Sequence, residues 1–279
     1  MTADDWTEKY RPRSLSQVLG SDTAVSTMIA WAKEWQSGKV PEKRAVAITG
    51  PPGVGKTSAA EALANDFGWS IIELNASEAR NADVLKKAAL RSSQFSSFGA
   101  DGSFMDASQG RMNLIVLDEA DSINGNIDRG AGPVITELVK TTLQPVMILA
   151  NDAYVLNKKL SVLKENAINI TFKSTRAQTV AKIIRRICAS EGIAIDDDAV
   201  ERIAENADGD IRASIRDLQT VATGKSHVTL ADTEVLSGRE NRSDVRGVVS
   251  AIYRHRDPEL AAQRYRAADT DPGMLLLWL

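Results

Sequence analysis

The chain has 279 residues, of which 43% are apolar and 25% charged, a composition typical of a globular protein with about two domains. Its formal net charge of −3 means that any contact with nucleic acid needs a local basic patch or backbone amides. Cys188 is the one cysteine, which excludes an internal disulfide, and His227 and His255 stand too far apart in sequence to suggest a metal hydrolase. No apolar run reaches about 18 residues and the N-terminus is polar, so we expect no signal peptide, no membrane partner and a cytoplasmic protein.

Short apolar runs alternate with helical patterns through the first 173 residues. The runs predict five buried strands, at 45–49, 71–75, 113–117, 145–150 and 168–172. Between them, apolar residues recur at helical spacing, as at Val134, Ile135, Leu138 and Val139. The alternation predicts an α/β domain over residues 1–173, with a parallel sheet covered on both sides.

Beyond residue 173 we expect no further strands. Three helical patterns follow, marked by Val180, Ile184 and Ile187, by Val200, Ile203, Ala204 and Ala207, and by Ile211, Ile215, Leu218 and Ala222. Thr175 and Gln178 have the spacing of a capping box, which predicts Thr175 as the N-cap of the first helix. A small helical domain is therefore expected over 174–238, and the start of another helical element over 239–279. That element ends in the apolar run GMLLLWL, so we expect the chain to be truncated within it.

The stretch GPPGVGKT at residues 50–57 stands between a predicted strand and a predicted helix. It matches the phosphate-binding pattern G-x-x-x-x-G-K-S/T, in which glycines turn backbone amides toward phosphates at a helix N-terminus. Lys56 is expected to reach the β- and γ-phosphates of a nucleotide, and the Thr57 hydroxyl to ligate Mg²⁺. The predicted binding residues of this loop are Gly50, Pro51, Pro52, Gly53, Val54, Gly55, Lys56, Thr57 and Ser58.

Polar residues follow two other predicted strands. The run NLIVLDEAD at 113–121 puts Asp118 beside the expected Mg²⁺ site, and Glu119 where it can polarise an attacking water. Asn151 follows the next apolar strand and is expected to reach the γ-phosphate, the alternative being an ordinary turn residue. Arg212 lies in the first turn of a predicted helix, where the helix dipole disfavours a cation. A bound anion would explain it, and the alternative is a solvated arginine.

The order of these motifs resembles that of the AAA+ ATPases. The stretches WTEKYRPRSLSQVLG (6–20) and ELNASEAR (73–80) also resemble signatures of the replication factor C clamp-loader family, and the resemblance extends to about residue 222. It implies an ATPase with ATP and Mg²⁺ as cofactors, and a P-loop α/β domain followed by a helical lid and the start of a helical collar. It implies catalytic roles for Lys56, Glu119, Asn151 and Arg212, and Mg²⁺ ligation by Thr57 and Asp118. It further implies an adenine pocket formed by Tyr10, Arg11, Pro12, Val18 and Leu19.

One departure from the family pattern points to a particular kind of subunit. Small subunits of this family carry a Ser-Arg-Cys triplet whose arginine reaches into the neighbouring subunit's ATP site. The corresponding stretch here, 158–172, contains no arginine. The sequence is therefore similar to the large subunit of the archaeal type. Its own ATP site is expected to need an arginine from a small subunit in a hetero-oligomer, a pentamer in this family, and to hydrolyse ATP slowly when isolated.

Primer–template DNA and the sliding clamp are the other partners that the resemblance implies. A helix start followed by a basic face suits DNA phosphate contacts without base reading, and the predicted contacts are Ser77, Arg80, Asn81 and Lys87. The alternative is a solvated basic face. The loop 92–110, rich in Ser and Gly, is expected to lie at the surface and to offer apolar groups to the clamp, the alternative being an excursion with a few packed aromatics.

The resemblance thus implies the large subunit of a clamp loader, which would load a sliding clamp onto primed DNA during replication. Three alternatives stay open at this point. The chain could be a self-sufficient AAA+ motor such as a junction helicase, a checkpoint-type loader, or an assembly scaffold that merely holds a nucleotide. The arginine-free stretch argues against the self-sufficient motor, and the intact Glu119 argues against the scaffold.

Overall fold

The computed structural model describes residues 5–75, 112–123 and 131–239. One compact unit ends at Thr179 and also takes in Gly209–Ala213, while the other comprises Val180–Asp208 and continues from Ser214. The four predicted DNA contacts, the loop 92–110 and almost all of the element predicted at 239–279 lie outside the described residues.

The first unit alternates strands and helices. The α-helices among its described residues include α1 (Trp6–Lys9), α2 (Asp22–Gln36), α3 (Lys56–Phe67), α4 (Ala131–Thr141), α5 (Ala153–Lys159) and α6 (Leu163–Asn166). Its strands are β1 (Ala45–Thr49), β2 (Ser70–Asn75), β3 (Asn113–Asp118), β4 (Val146–Ala150) and β5 (Ala167–Thr171). Each predicted strand is present, with bounds that differ by a residue or so from those expected.

These strands form one parallel sheet in the order β2-β3-β4-β1-β5. The α/β fold class predicted from the sequence is confirmed. The prediction that every strand is buried is wrong for β2, whose residues are exposed or half-buried. This strand lies at one end of the described sheet, so it pairs on one side only, and an edge strand needs less apolar surface than a central one.

Side chains of alternate strand residues fill two separate apolar layers. Ala47, Leu117 and Ile148 pack on one face with α4, α5 and α6. Val46, Val116 and Met147 pack on the other face with α2 and α3. Because side chains alternate between faces with period two, a central strand that is apolar at every position is covered on both sides.

The sheet order places three strand ends side by side. In the order β3-β4-β1, the strands end at Asp118, Ala150 and Thr49. Parallel strands have their carboxyl ends at one edge of the sheet, so the segments that follow them meet there. This edge therefore gathers the phosphate-loop pattern, the Asp-Glu pair and Asn151.

The described residues of the second unit are helical for the most part. It includes most of α7 (Ala177–Glu191), α8 (Asp197–Asn206), most of α9 (Ile211–Ala222) and a 3₁₀ helix at Leu230–Arg239. The helices turn their apolar residues inward, among them Ile184, Ile203 and Leu218, none of which has any exposed surface.

Two details of this region correct the sequence analysis. Strands do occur after residue 173, since β6 (Ala194–Ile195) pairs with β7 (His227–Val228). Each is two residues long, too short to show a periodic pattern. Helix α7 begins at Ala177, so the N-cap position falls on Arg176 and not on the predicted Thr175. Thr175 is instead buried, and its N–H donates to the Gly209 carbonyl at 3.4 Å.

We expect Asp232 to make the second unit sensitive to acid. Its carboxylate accepts hydrogen bonds from Lys225 Nζ at 2.5 Å and from the Thr229 N–H and hydroxyl, and these lower its pKa from 3.8 to about 2. A lowered carboxyl pKa adds stability above the unfolded value, and that stability is lost as the pH falls through the folded value. The Asp232→Asn variant should therefore be less stable than the unchanged chain at pH 6, and the difference should shrink between about pH 4 and pH 2. Urea unfolding across this range is the measurement, and a constant difference would contradict the expectation.

Candidate nucleotide-binding site

The loop between β1 and α3 has a backbone that requires glycine at two positions. Gly50 has φ +153° and lies so close to Phe172 that a Cβ would stand 2.2 Å from its carbonyl oxygen. Gly53 has φ +72°, and a Cβ there would meet the Asp210 carboxylate at 1.9 Å. The Phe172 carbonyl thus leaves no room for a side chain at residue 50, and the Asp210 carboxylate leaves none at residue 53.

Lys56, the first residue of α3, joins this loop to the neighbouring strand end. Its Nζ donates to the carbonyls of Gly50 at 2.7 Å and Pro51 at 2.8 Å, and to Asn151 Oδ1 at 2.9 Å. The side chain is buried, although lysine is rarely so unless it is paired. The structure therefore brings together the Lys56 and Asn151 side chains that the sequence placed in one site.

Burial is also the main electrostatic influence on Lys56, and it lowers the pKa of this amine from 10.5. The carboxylates of Asp118 and Asp121 oppose that effect and favour the ammonium form, while the Arg212 guanidinium adds to it. A lysine whose charge is partly desolvated interacts more strongly with an anion than one in bulk water. The site is thus suited to a phosphate.

Thr57 and Asp118 offer two hard oxygen atoms at the end of β3. The Thr57 hydroxyl donates to Asp118 Oδ2 at 2.9 Å, and Asp118 Oδ1 accepts from the Glu119 N–H at 2.7 Å. Mg²⁺ is usually held by one or two protein oxygens, with substrate phosphates and waters completing its octahedron. This pair fits that requirement. In the described part of the chain no cluster of three or more His, Cys, Asp or Glu side chains could hold a metal ion.

Glu119 has an unusual backbone for a residue with a side chain. Its φ of +52° and ψ of +36° lie in the left-handed region, which costs a residue with a Cβ roughly 1 kcal/mol or more. The conformation is held by Ser122, whose N–H and hydroxyl donate to the Glu119 carbonyl at 2.8 and 2.7 Å. Backbone strain of this kind concentrates at functional sites.

Asp121 is a residue that the sequence analysis did not assign. It lies in the 3₁₀ turn Ala120–Ser122, and its Oδ2 accepts from the N–H groups of Asn151 and Asp152, each at 2.9 Å. Its position three residues after Asp118 gives no sign of this, because the contact depends on how the β3 and β4 ends lie in the sheet.

Arg212 is exposed and stands in the first turn of α9, as predicted. The start of this helix is tied to the loop, since the Ile211 N–H donates to the Gly53 carbonyl at 3.1 Å. Asp210 caps the helix by accepting from the Ala213 N–H at 2.8 Å. Arg212 therefore lies near enough for its charge to act on Lys56.

The N-terminal segment lies against the polar face of α3. Arg11 pairs with Glu61 at 3.1 Å and with Glu8 at 3.2 Å. Burial raises the pKa of the Glu61 carboxyl, and the Arg11 charge opposes that shift. Farther along, the Leu15 N–H donates to Asp66 at 2.9 Å. Among the predicted adenine-pocket residues, Val18 is buried in the apolar layer with α2 and α3, and the others are half-buried: Tyr10, Arg11, Pro12 and Leu19.

Two family models match successive parts of the chain. Residues 46–171 match the ATPase family associated with various cellular activities, AAA, and residues 182–223 match the lid domain described as RCF1/5-like, AAA+ ATPase. Within the described residues no helix is long and apolar enough to span a membrane.

Known proteins similar to the chain agree with these models. It is 39% identical to a replication factor C large subunit of Methanosarcina mazei, over 100% of the chain and 43% of that protein. Large subunits of Methanothrix thermoacetophila and Halorubrum lacusprofundi are each 40% identical, over 98% and 99% of the chain and 56% and 54% of those proteins. The chain thus spans about half the length of these relatives. A solved RuvB Holliday junction branch migration motor of Thermotoga maritima shares the fold, with a TM-score of 0.66 and 18% identity over 91% of this chain and 85% of that one.

Residues 46–171 therefore form an AAA ATPase domain, which is followed by an AAA+ lid domain at residues 182–223. The relatives named above, which match 98% or more of the chain, are archaeal replication factor C large subunits. The resemblance expected from the sequence is confirmed.

Proposed function

We propose that this chain is the ATP-binding part of a clamp-loader large subunit, which loads a sliding clamp onto primer–template DNA. The observation that carries the proposal is the meeting of Lys56, Asn151 and the Thr57–Asp118 pair at one edge of the sheet. Relatives that match 98% or more of the chain are named replication factor C large subunits, which supports the proposal. The fold shared with a branch migration motor, at 18% identity, does not favour a helicase.

Each side chain of the site has a distinct role in this proposal. Lys56 binds the β- and γ-phosphates, and its buried amine is fixed by carbonyls that leave it little freedom to move away. Thr57 and Asp118 would hold Mg²⁺, which would supply positive charge to neutralise the phosphates. Glu119 accepts the proton of the attacking water, and Asn151 contacts the γ-phosphate.

In this proposal the chain's own nucleotide site is incomplete, because it needs one positively charged side chain from another subunit. An arginine supplied by a neighbouring subunit completes many P-loop sites and raises the hydrolysis rate by a factor of about 10³–10⁵. The stretch 158–172 of this chain carries no arginine, as expected of a subunit that receives one without donating one. Small subunits of a hetero-oligomer are the proposed donors, and ATP binding would drive assembly with clamp and DNA, with hydrolysis driving release.

Hydrolysis at this site should depend on partners. The chain with ATP and Mg²⁺ should turn over slowly when isolated, and should accelerate by about 10³-fold or more with small subunits, clamp and primed DNA. Small subunits with disabled phosphate loops would confine the measured turnover to this chain. A matched partner, whose Ser-Arg-Cys arginine is replaced by alanine, should restore the slow rate.

Two results would contradict the proposal. Rapid turnover by the isolated chain would favour a self-sufficient AAA+ motor. Absence of turnover in every mixture, with ATP bound, would favour a scaffold. The Lys56→Ala variant serves as the baseline in both cases, since it removes the amine that the proposal assigns to the phosphates.

A further inference from the structure

The turn after β4 is held by a carboxylate from a different strand end. Asp121 Oδ2 accepts from two successive N–H groups, those of Asn151 and Asp152, at 2.9 Å each. Two donors on one charged oxygen form a strong local contact, because hydrogen bonds to charged groups exceed neutral ones in strength. The backbone of Asn151 is thereby fixed relative to the turn that carries Glu119.

Asp121 is itself held from the far end of α5. Its carbonyl accepts from Lys159 Nζ at 2.6 Å, and Lys159 is the last residue of that helix. The 3₁₀ turn thus contacts the residues just before α5 with its side chain and the last residue of α5 with its backbone.

Capping of α5 does not account for the Asp121 contact. The helix has its own N-cap, Asp152, whose Oδ1 accepts from the N–H groups of Tyr154 at 2.7 Å and Val155 at 3.0 Å. That arrangement satisfies the first turn in the usual way. What Asp121 adds is a bond to Asn151, which precedes the helix and whose side chain contacts Lys56 at 2.9 Å.

We propose that Asp121 is a positioning residue, which sets the Asn151 amide for contact with the γ-phosphate by fixing the Asn151 backbone. The inference rests on the proposed function, since it concerns how the same site distinguishes a triphosphate from a diphosphate. Asp121 touches neither phosphate nor water in this scheme and acts through Asn151. Displacements of about 1 Å at such a contact are enough to matter for catalysis.

Nucleotide affinities provide the test. Dissociation constants would be measured with Mg²⁺ for ADP and for an ATP analogue carrying a γ-thiophosphate. The Asp121→Ala variant should lose about tenfold in affinity for the triphosphate, the scale expected for a lost bond to a charged group, while ADP affinity stays within about twofold. Asp121→Asn keeps one acceptor oxygen in the same place, so its triphosphate affinity should lie between those of the unchanged chain and Asp121→Ala. It also tests the proposal if the alanine variant folds poorly.

Two further variants separate positioning from mere support. Asp152→Ala removes the α5 cap and should reduce stability without changing the ratio of the two affinities. Asn151→Ala should lose the triphosphate preference, and adding Asp121→Ala to it should cost nothing more, because residues that act through one another are not additive.

The outcomes distinguish the inference from the function on which it rests. Equal losses for ADP and the triphosphate analogue in Asp121→Ala, or additive losses in the double variant, would overturn the positioning role alone. Failure of the unchanged chain to bind either nucleotide would overturn the proposed function and the inference with it.

Discussion

Glu119→Gln is expected to bind ATP as tightly as the unchanged chain and to hydrolyse it about 10²–10⁴-fold more slowly in the assembled complex. The two side chains have almost the same shape, but glutamine does not accept the proton of the attacking water, and general-base catalysis contributes an effect of this size. Glu119 follows Asp118, whose carboxylate contacts Thr57, so the exchange leaves the Thr57–Asp118 pair in place. Single-turnover hydrolysis and equilibrium ATP binding are the two measurements.

A matched acid elsewhere in the same unit controls for the loss of a charge. Glu137 is exposed on α4 and is none of the residues assigned to the site, so Glu137→Gln should hydrolyse ATP at the unchanged rate. A Glu119→Gln variant with undiminished turnover would remove Glu119 from the mechanism. Parallel loss of ATP binding would instead assign it to binding.

Gly50→Ala is expected to reduce the stability of the first unit by about 3 kcal/mol or more, the scale of severe overpacking. The added Cβ would stand 2.2 Å from the Phe172 carbonyl oxygen and 3.1 Å from its Cβ. Phe172 is held in place, because its ring is fully buried and its N–H donates to the Thr49 carbonyl at 2.7 Å. The clash therefore involves the Phe172 backbone, which its hydrogen bond and its buried ring prevent from shifting.

Urea unfolding followed by tryptophan fluorescence would measure the loss, since Trp31 and Trp35 pack edge to face in the buried layer of this unit. Gly68→Ala is the matched control. Gly68 has φ +66° and caps α3, yet nothing lies within 4 Å of a Cβ built there. Its loss should stay near 1 kcal/mol, the cost of the left-handed backbone by itself. Similar losses at both positions would mean that φ, and not contact with Phe172, decides the effect.

The sheet could be predicted from the sequence because its central strands are buried on both faces. Such strands read as continuous apolar runs bounded by polar residues, as AVAIT at 45–49 does. The same rule gives a wrong expectation at β2, where the apolar pair Ile71 and Ile72 resembles a core run although Ile71 is exposed. An edge strand and a central strand differ in their neighbours, which a local pattern does not contain.

The candidate site likewise contains residues that a local sequence pattern predicts and residues that it does not. The phosphate loop and the Asp-Glu pair are local patterns, so their residues could be named in advance. Asp121 could not, because its two hydrogen bonds cross to a segment 30 residues away along the chain. The sequence indicates where β3 and β4 end, but only the sheet order β3-β4-β1 shows that these two ends are neighbours. The roles of these residues toward a nucleotide stay predictions until they are measured.

The left-handed backbone of Glu119 has a consequence for how the chain can change over time. Stability by itself would favour glycine at this position, which adopts φ +52° without steric conflict. A glutamate there costs stability relative to glycine, so selection for folding alone would not keep it. Substitutions selected for stability alone would thus replace Glu119 with glycine and remove the carboxylate. Stability and the proposed activity therefore favour different residues at this position.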